Sequence, residues 1–301
     1  MLSADALVLC AGTLPQASLT EKISVAAAAG FSAISLFHSD YSAARAEGHS
    51  DVDLRQMLAD HGLEIAELDP LLNWVPGAEL GGGANDQGAA FYQTTEAEFH
   101  SLAAALGGRS INLALATDKE LSRDEIAAAF AGVCDRAAER GLQVHLEFLP
   151  WTPIGNLAAA LDIVERAGRP NGGVMLDSWH HFRSGTPNAE LLTVPGARIN
   201  AVQLSDAPQQ PGHDLVAETL TRRRVPGDGD IDLVELLLYL QQIGCTAPIG
   251  VEIFSEELAK RPALEVAQRA ADAVRSLLQR ARARGASAAV APLTSETQGE
   301  S

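Results

Sequence analysis

The chain is poor in cysteine: Cys10, Cys134 and Cys245 are the only three in 301 residues, far apart and with no Cys-x-x-Cys pair. That scarcity excludes a disulfide-stapled scaffold, offers no thiolate cluster to a metal, and fits a reducing cytoplasm. Positive charge is also short, with 22 Lys and Arg against 39 Asp and Glu for a formal net charge of −17. Such a surface repels a phosphate backbone and attracts cations, so nucleic acid and anionic membranes are poor partners. No Lys or Arg precedes Lys22, and Asp5 sits where a signal peptide needs a basic start. No apolar run reaches the ~18 residues that cross a bilayer. The expectation is a cytoplasmic chain, neither exported nor membrane-embedded. A glycine-rich phosphate loop is missing too: the segment "CAGTLP" after the first apolar run has neither GxGxxG nor GxxxxGK[ST]. This argues against a dinucleotide-binding or P-loop fold.

What the chain does have is a core-forming composition. With 47% hydrophobic and 20% charged residues it reads as a soluble globular protein. A single domain of this size buries about 75% of its unfolded surface. Short β-like runs alternate with helical patterns from residue 6 to about 282. The strand candidates are Ala6–Leu9, Ala33–Phe37, Glu64–Leu68, Ser110–Leu113, Gln143–Phe148, Gly173–Asp177, Ile199–Leu204 and Ile249–Ile253. Helical segments fall at Leu19–Ala29, Leu54–His61, Glu96–Leu106, Asp124–Arg140, Leu157–Ala167, Leu233–Ile243 and Leu264–Arg282, several closed by a glycine suited to a left-handed cap.

Eight such units predict an α/β fold, a single closed (β/α)8 TIM barrel over residues 1–282, with an open doubly wound sheet as the alternative. The link between strands six and seven is thin, with one turn of helix around Ala189–Leu192. Residues 70–93, which include Gly81–Gly83, read as a long loop able to cover a pocket, and 283–301 as a flexible C-terminal tail.

Alternate residues of a barrel strand face the helices and the interior, and active sites form at the C-terminal strand ends. In "QVHLEF" the apolar Val144, Leu146 and Phe148 face out, which turns Gln143, His145 and Glu147 inward. The same reading of "GVMLDS", "AVQLSD" and "IGVEIF" turns Asp177, Gln203 and Glu252 inward. Four consecutive strands thus each aim one oxygen-bearing side chain at the same end. Unpartnered buried acids are costly, and three carboxylates with one amide oxygen make a hard-cation site suited to one Mn²⁺ or Mg²⁺, with Zn²⁺ or Co²⁺ as the other candidates.

The ordered segments "LEF", "MLDSWHH", "VQLSD", "RVPGDGDID" and "GVEIF" resemble the xylose isomerase-like barrel superfamily of sugar isomerases and epimerases. Its members include ketose 3-epimerases, hydroxypyruvate isomerase, inosose dehydratase and 3-dehydroshikimate dehydratase. The resemblance covers nearly the whole barrel. It implies metal ligands at Glu147, Asp177, Gln203 and Glu252, and a substrate-touching His180 from an Asp-x-x-His element, with His181 adjacent. Where ketose epimerases carry a His and, six residues on, an Arg, this chain has Gln203 and Gln209. That departure moves it toward the glutamine-bearing isomerases and dehydratases.

Around this set stand further candidates. Glu67 shares the inward face of strand three with Asp69 and reads as a substrate ligand, a second acid or a polar strand end, while His38, after strand two, reads as a substrate contact or an ordinary polar loop residue. Trp74, Trp151 and Trp179 follow strands three, five and six and would wall a pocket. The run Arg222 to Arg224 supplies an arginine for a substrate carboxylate or phosphate, taken here as Arg224. His145, one inward step below Glu147, reads as a hydrogen-bonding support.

The chemistry expected of the site is abstraction of the proton α to a carbonyl, with Glu147 or Glu252 as base and the enediolate stabilised by the metal. Returning the proton makes an isomerase or epimerase of a sugar or polyol-like ketone, the leading expectation; loss of a β-hydroxyl makes a dehydratase or related lyase. An apurinic-endonuclease role would need more His ligands and a basic face, and a non-catalytic sugar-binding barrel need not keep a metal. The expected partner is a small carbohydrate-like molecule, with a homo-oligomer left open.

Overall fold

Eight parallel strands pair in chain order and close on themselves, β8 returning to β1 through Leu7–Ile249 and Leu9–Val251. The computed structural model describes residues 6–78, 93–117 and 119–290. Along it run β1 (Leu7–Leu9), α1 (Leu19–Ala28), β2 (Ala33–Leu36), α2 (His38–Ala46), α3 (Asp51–Asp60), β3 (Glu64–Leu71), α4 (Glu96–Leu106) and β4 (Ser110–Ala114). There follow α5 (Arg123–Ala138), β5 (Gln143–Glu147), α6 (Leu157–Ala167), β6 (Gly172–Asp177), α7 (Ser178–Arg183), β7 (Ile199–Leu204), α8 (Leu215–Thr221), α9 (Leu233–Gln242), β8 (Ile249–Val251) and α10 (Ala263–Val290). The fold expected from the alternation of strands and helices is the one found.

The main core lies between sheet and helices. Val144, Leu146, Phe148, Val174, Leu176, Val202, Leu204, Val251 and Ile253 all join it, as alternation requires. The barrel axis holds a separate small apolar cluster of Val8, Cys10, Ala33 and Ala66. Ala66 is the extra residue of a register shift, since Ile34 pairs with Ile65 and Ser35 with Glu67. Capping boxes at Ser50 and Asp53, Thr95 and Glu98, and Ser122 and Glu125 start α3, α4 and α5. The six glycines expected to close helices have φ between 62° and 77°.

Three helices carry no sequence signal. Helix α2 buries only Ala44, α7 is six residues long, and α8 buries Glu218 and Thr219, so none shows an apolar stripe. The link from β6 to β7 contains 3-10 turns at Asn188–Thr193 and Gly196–Arg198. Helix α10 continues to Val290, past the expected end at Arg282. Residues 79–92 of the expected pocket loop and 291–301 of the expected tail lie outside the described residues.

Candidate functional site

Strand geometry brings the inward residues to one end of the barrel, with Glu252 outside the tight group that Glu147 and Asp177 form with His180. Glu147 ends β5 beside Ala114, Asp177 ends β6 directly opposite Gln203 of β7, and Glu252 follows β8 with its N–H donating to Leu204. All four side chains are buried. Glu147, Asp177 and His180 each bring a ligand atom within 4.8 Å of the others. His180 reaches this group because Asp177 caps α7: its Oδ1 accepts the His180 backbone N–H at 2.9 Å, which folds the next turn back over the strand end.

Amides organise the acids from below. Asn112 Nδ2 donates to Asp69 Oδ1 at 2.9 Å and to Glu147 Oε2 at 2.8 Å. Gln203 Nε2 faces Glu67 Oε2 at 3.4 Å, and Gln203 Oε1 is a buried acceptor with no donor among the described residues. A buried amide oxygen without a donor beside carboxylates is free to serve as a cation ligand. The donor set therefore fits a divalent ion held by oxygens with or without one imidazole.

Electrostatics point the same way. Burial pushes Glu147 and Glu252 well above the usual carboxylate range, with neighbouring acids adding to the effect. Burial, then the Asp69 charge, pushes Glu67 up to about 8, and burial raises Asp69 as well. Among these acids Asp177 is held low: burial acts to raise it, but Arg223 and His180 together outweigh that. Burial holds His180 and His145 neutral, down to about 3 in each case. Removing so many acids from water is costly unless positive charge is supplied.

Part of that charge is Arg223, which is 3% exposed. Its Nη1 donates to Asp177 Oδ2 at 2.7 Å and to Glu252 Oε2 at 3.3 Å. Arg223, and not the expected Arg224, is the arginine that meets the acids. Residues 222 and 224 form antiparallel bridges to Ser255 and Asp206, so side chains alternate, and Arg223 points in while Arg224 is exposed with Nη1 on the Asp228 carbonyl. Asp206, which sequence reasoning missed, holds the following loop: its carboxylate accepts the N–H groups of Ala207, Gly227 and Ile231. Gly227 takes φ 94°, and a Cβ at Gly229 would collide with the Asp206 carboxylate. The "PGDGD" glycines were the available signal for this clamp.

Other candidates separate. Trp151, 37% exposed, sets its ring 5.6 Å from His180 and 6.4 Å from the fully buried Trp179. Trp179 lies edge-on to His180 at 5.2 Å. These rings border the site. Trp74 instead donates to the Ala114 carbonyl and packs on Phe130 in the helix layer. His38 opens α2 against Phe99, with Nδ1 3.4 Å from Ser42; none of its contacts among the described residues joins it to the acids. His145 sits below Glu147, and among the described residues neither of its ring nitrogens has a hydrogen-bond partner.

A family model for the xylose isomerase-like TIM barrel matches residues 23–293. Over 285 residues the chain is 30% identical to a 3-dehydroshikimate dehydratase of Pseudomonas aeruginosa, covering 91% of this chain but 40% of that protein. The chain therefore spans less than half the length of that curated relative. It is 26% identical to an inosose isomerase of Bacillus velezensis over 280 residues, covering 90% of this chain and 95% of the relative. Among solved structures, the IolI protein with a bound zinc atom superposes with a TM-score of 0.79 at 22% identity, covering 91% of this chain and 98% of that one. Among the described residues no helix is long and apolar enough to cross a membrane.

Proposed function

The chain belongs to the xylose isomerase-like TIM barrel family, and from that premise we propose that it is a divalent-metal-dependent isomerase or epimerase of a sugar or polyol-like ketone. The observation that carries the reading is the buried convergence of Glu147, Asp177 and His180 within 4.8 Å, beside the donorless Gln203 Oε1. Glu147, Asp177, Gln203 and Glu252 would hold the ion, with His180 able to take a place or to meet substrate. When bound, the ion supplies a Lewis acid that polarises the oxygens of a bound ketone. Mn²⁺ and Mg²⁺ suit the oxygen-rich set, and the zinc of the IolI structure makes Zn²⁺ the next to test.

The protein's own groups do the rest. Glu252 or Glu147, each raised by burial above the usual carboxylate range, is placed to take the proton next to the carbonyl and return it. Trp151 and Trp179 wall the His180 side against water. A second reading, a dehydratase losing a β-hydroxyl, is favoured by the similarity to the Pseudomonas enzyme and uses the same first proton transfer.

The test is a panel of ketoses, inososes and 3-dehydroshikimate in heavy water, with Mn²⁺ and after chelation. Metal-dependent deuterium uptake with the carbon skeleton's oxygens retained supports the isomerase; loss of water supports the dehydratase. A panel in which neither occurs while the protein holds a full equivalent of metal would sink both, leaving a sugar-binding barrel.

A further inference from the structure

We propose that Arg223 is the resident counter-cation of this acid cluster, a positioning residue that holds Asp177 and Glu252 in convergence in the metal-free protein and whose charge a bound metal opposes. The inference rests on the metal reading above and adds a role for a residue that supplies no ligand atom.

The two carboxylates come from β6 and from the end of β8, with β7 between them, and no hydrogen bond joins them directly among the described residues. A single nitrogen, Nη1 of Arg223, spans the gap at 2.7 Å and 3.3 Å. The rest of the guanidinium is pinned from behind. Nε donates to the Thr219 carbonyl at 3.0 Å and Nη2 to the Thr219 hydroxyl at 2.8 Å. The ring of Trp179 lies 5.6 Å from the guanidinium carbon and that of Phe254 5.3 Å from it. Nη2 also lies 3.3 Å from His180 Nε2, which suits an imidazole whose Nε2 carries the lone pair. Among the described residues Arg223 is the one Lys or Arg in an ion pair with Glu147, Asp177 or Glu252.

Once ionised, the three acids exceed the one positive charge that faces them. That residue of negative charge draws a divalent ion, while the nearby guanidinium repels it. Removing the guanidinium therefore has two effects of one sign. The metal-free fold loses the one Lys or Arg that, among the described residues, pairs with these acids, and the metal gains a more negative site. A purely structural arginine, valued for its contacts with Thr219, Trp179 and Phe254, would instead lower the stability of both forms alike.

The experiment measures melting temperature for wild type, Arg223→Gln and Arg223→Lys, each stripped with chelator and then saturated with Mn²⁺, with Mn²⁺ stoichiometry from equilibrium dialysis. Stripped Arg223→Gln should melt on the order of 5–10 °C below wild type, and its rise on adding Mn²⁺ should be at least twice the wild-type rise. Arg223→Lys, which keeps the charge, should show the wild-type rise. An equal or smaller rise in Arg223→Gln overturns the proposal. If stripped Arg223→Gln does not fold, recovery of its circular dichroism on refolding with Mn²⁺ supports the proposal, and failure to recover overturns it. Wild type that retains no Mn²⁺ removes the metal reading and this inference together; wild type that binds one equivalent, with equal rises in all three proteins, removes the role of Arg223 alone.

Discussion

Strands β1 and β2 send Val8, Cys10 and Ala33 toward the barrel axis, whereas β5 to β7 and the residue after β8 send Glu147, Asp177, Gln203 and Glu252. The outer faces of the two halves do not differ in this way, since Leu7, Leu9, Ile34 and Leu36 join the same helix-packed core as Leu146, Leu176 and Leu204. The barrel therefore takes its stability from the outer layer, where each fully buried Leu or Phe is worth about 1.5–3 kcal/mol of transfer free energy. The interior beyond β2, from Glu67 and Asp69 of β3 onward, is free to hold groups that folding alone would reject. Its raised carboxylates are the sign of that tension, and it is there that stability and chemistry should pull apart.

The largest expected effect tests the charged half. Glu252→Gln keeps an oxygen for a metal but cannot accept a proton, so turnover should fall by about 10²–10⁴-fold with little change in substrate affinity. The same change removes a buried acid and should raise the melting temperature of the metal-free protein. Steady-state kinetics beside thermal scans read both. If turnover stays near wild type, Glu147 is the base.

The matching change in the outer layer is Phe130→Ala. Phe130 is fully buried and packs edge-on against Trp74. Its loss should cost about 3–5 kcal/mol in urea unfolding, while Mn²⁺ stoichiometry by equilibrium dialysis stays the same. A variant that lost metal along with stability would erase the separation between the layers.

A smaller effect follows pH. Glu67 is raised to about 8, first by burial and then by Asp69. Its unfolded value is near 4.3. Between these values the native state binds more protons than the unfolded chain, so the stability of metal-free protein should fall as pH rises from 5 toward 8. Metal binding displaces protons from such acids, so Mn²⁺ affinity should rise over the same range. Thermal scans and metal titrations at pH 6 and 8 check both signs; stability that climbed with pH would contradict the buried-acid account.

The smallest effect expected is none. The net charge of −17 and the pairing of Arg223 with acids leave no basic track for a duplex. Fluorescence anisotropy at physiological salt should show no DNA binding, with or without Mn²⁺. Salt-sensitive micromolar binding would favour the nuclease branch of the fold.

The comparison also explains what could be read from sequence. Period-two alternation in "QVHLEF" and "GVMLDS" is strong because the outward residues must be apolar, and it fixed which acids face in. Helix α2 escaped notice because it buries only Ala44. Arg223 was passed over for Arg224 because the choice depends on two isolated bridges, to Ser255 and Asp206, that join segments distant in sequence. Asn112 drew no attention because an amide in "SINLA" acquires meaning only when Asp69 and Glu147 arrive on either side of it. Local pattern carries facing and fold, whereas the partner of each polar group is set by closure of the barrel.

That closure bears on the order in which the chain assembles. Strand β8 must find β1 across nearly the whole sequence, a slow, high-contact-order step, and Glu252 follows β8 directly. Arg223 reaches the acids only when its flanking bridges, one of them to Ser255 beyond β8, are in place. A nascent chain that has made its first six strands already owns Glu147 and Asp177 but lacks the far side of the pocket. A metal recognising all four strand-end oxygens would therefore arrive after the rate-limiting collapse, leaving the folding rate unchanged and acting chiefly as a brake on unfolding.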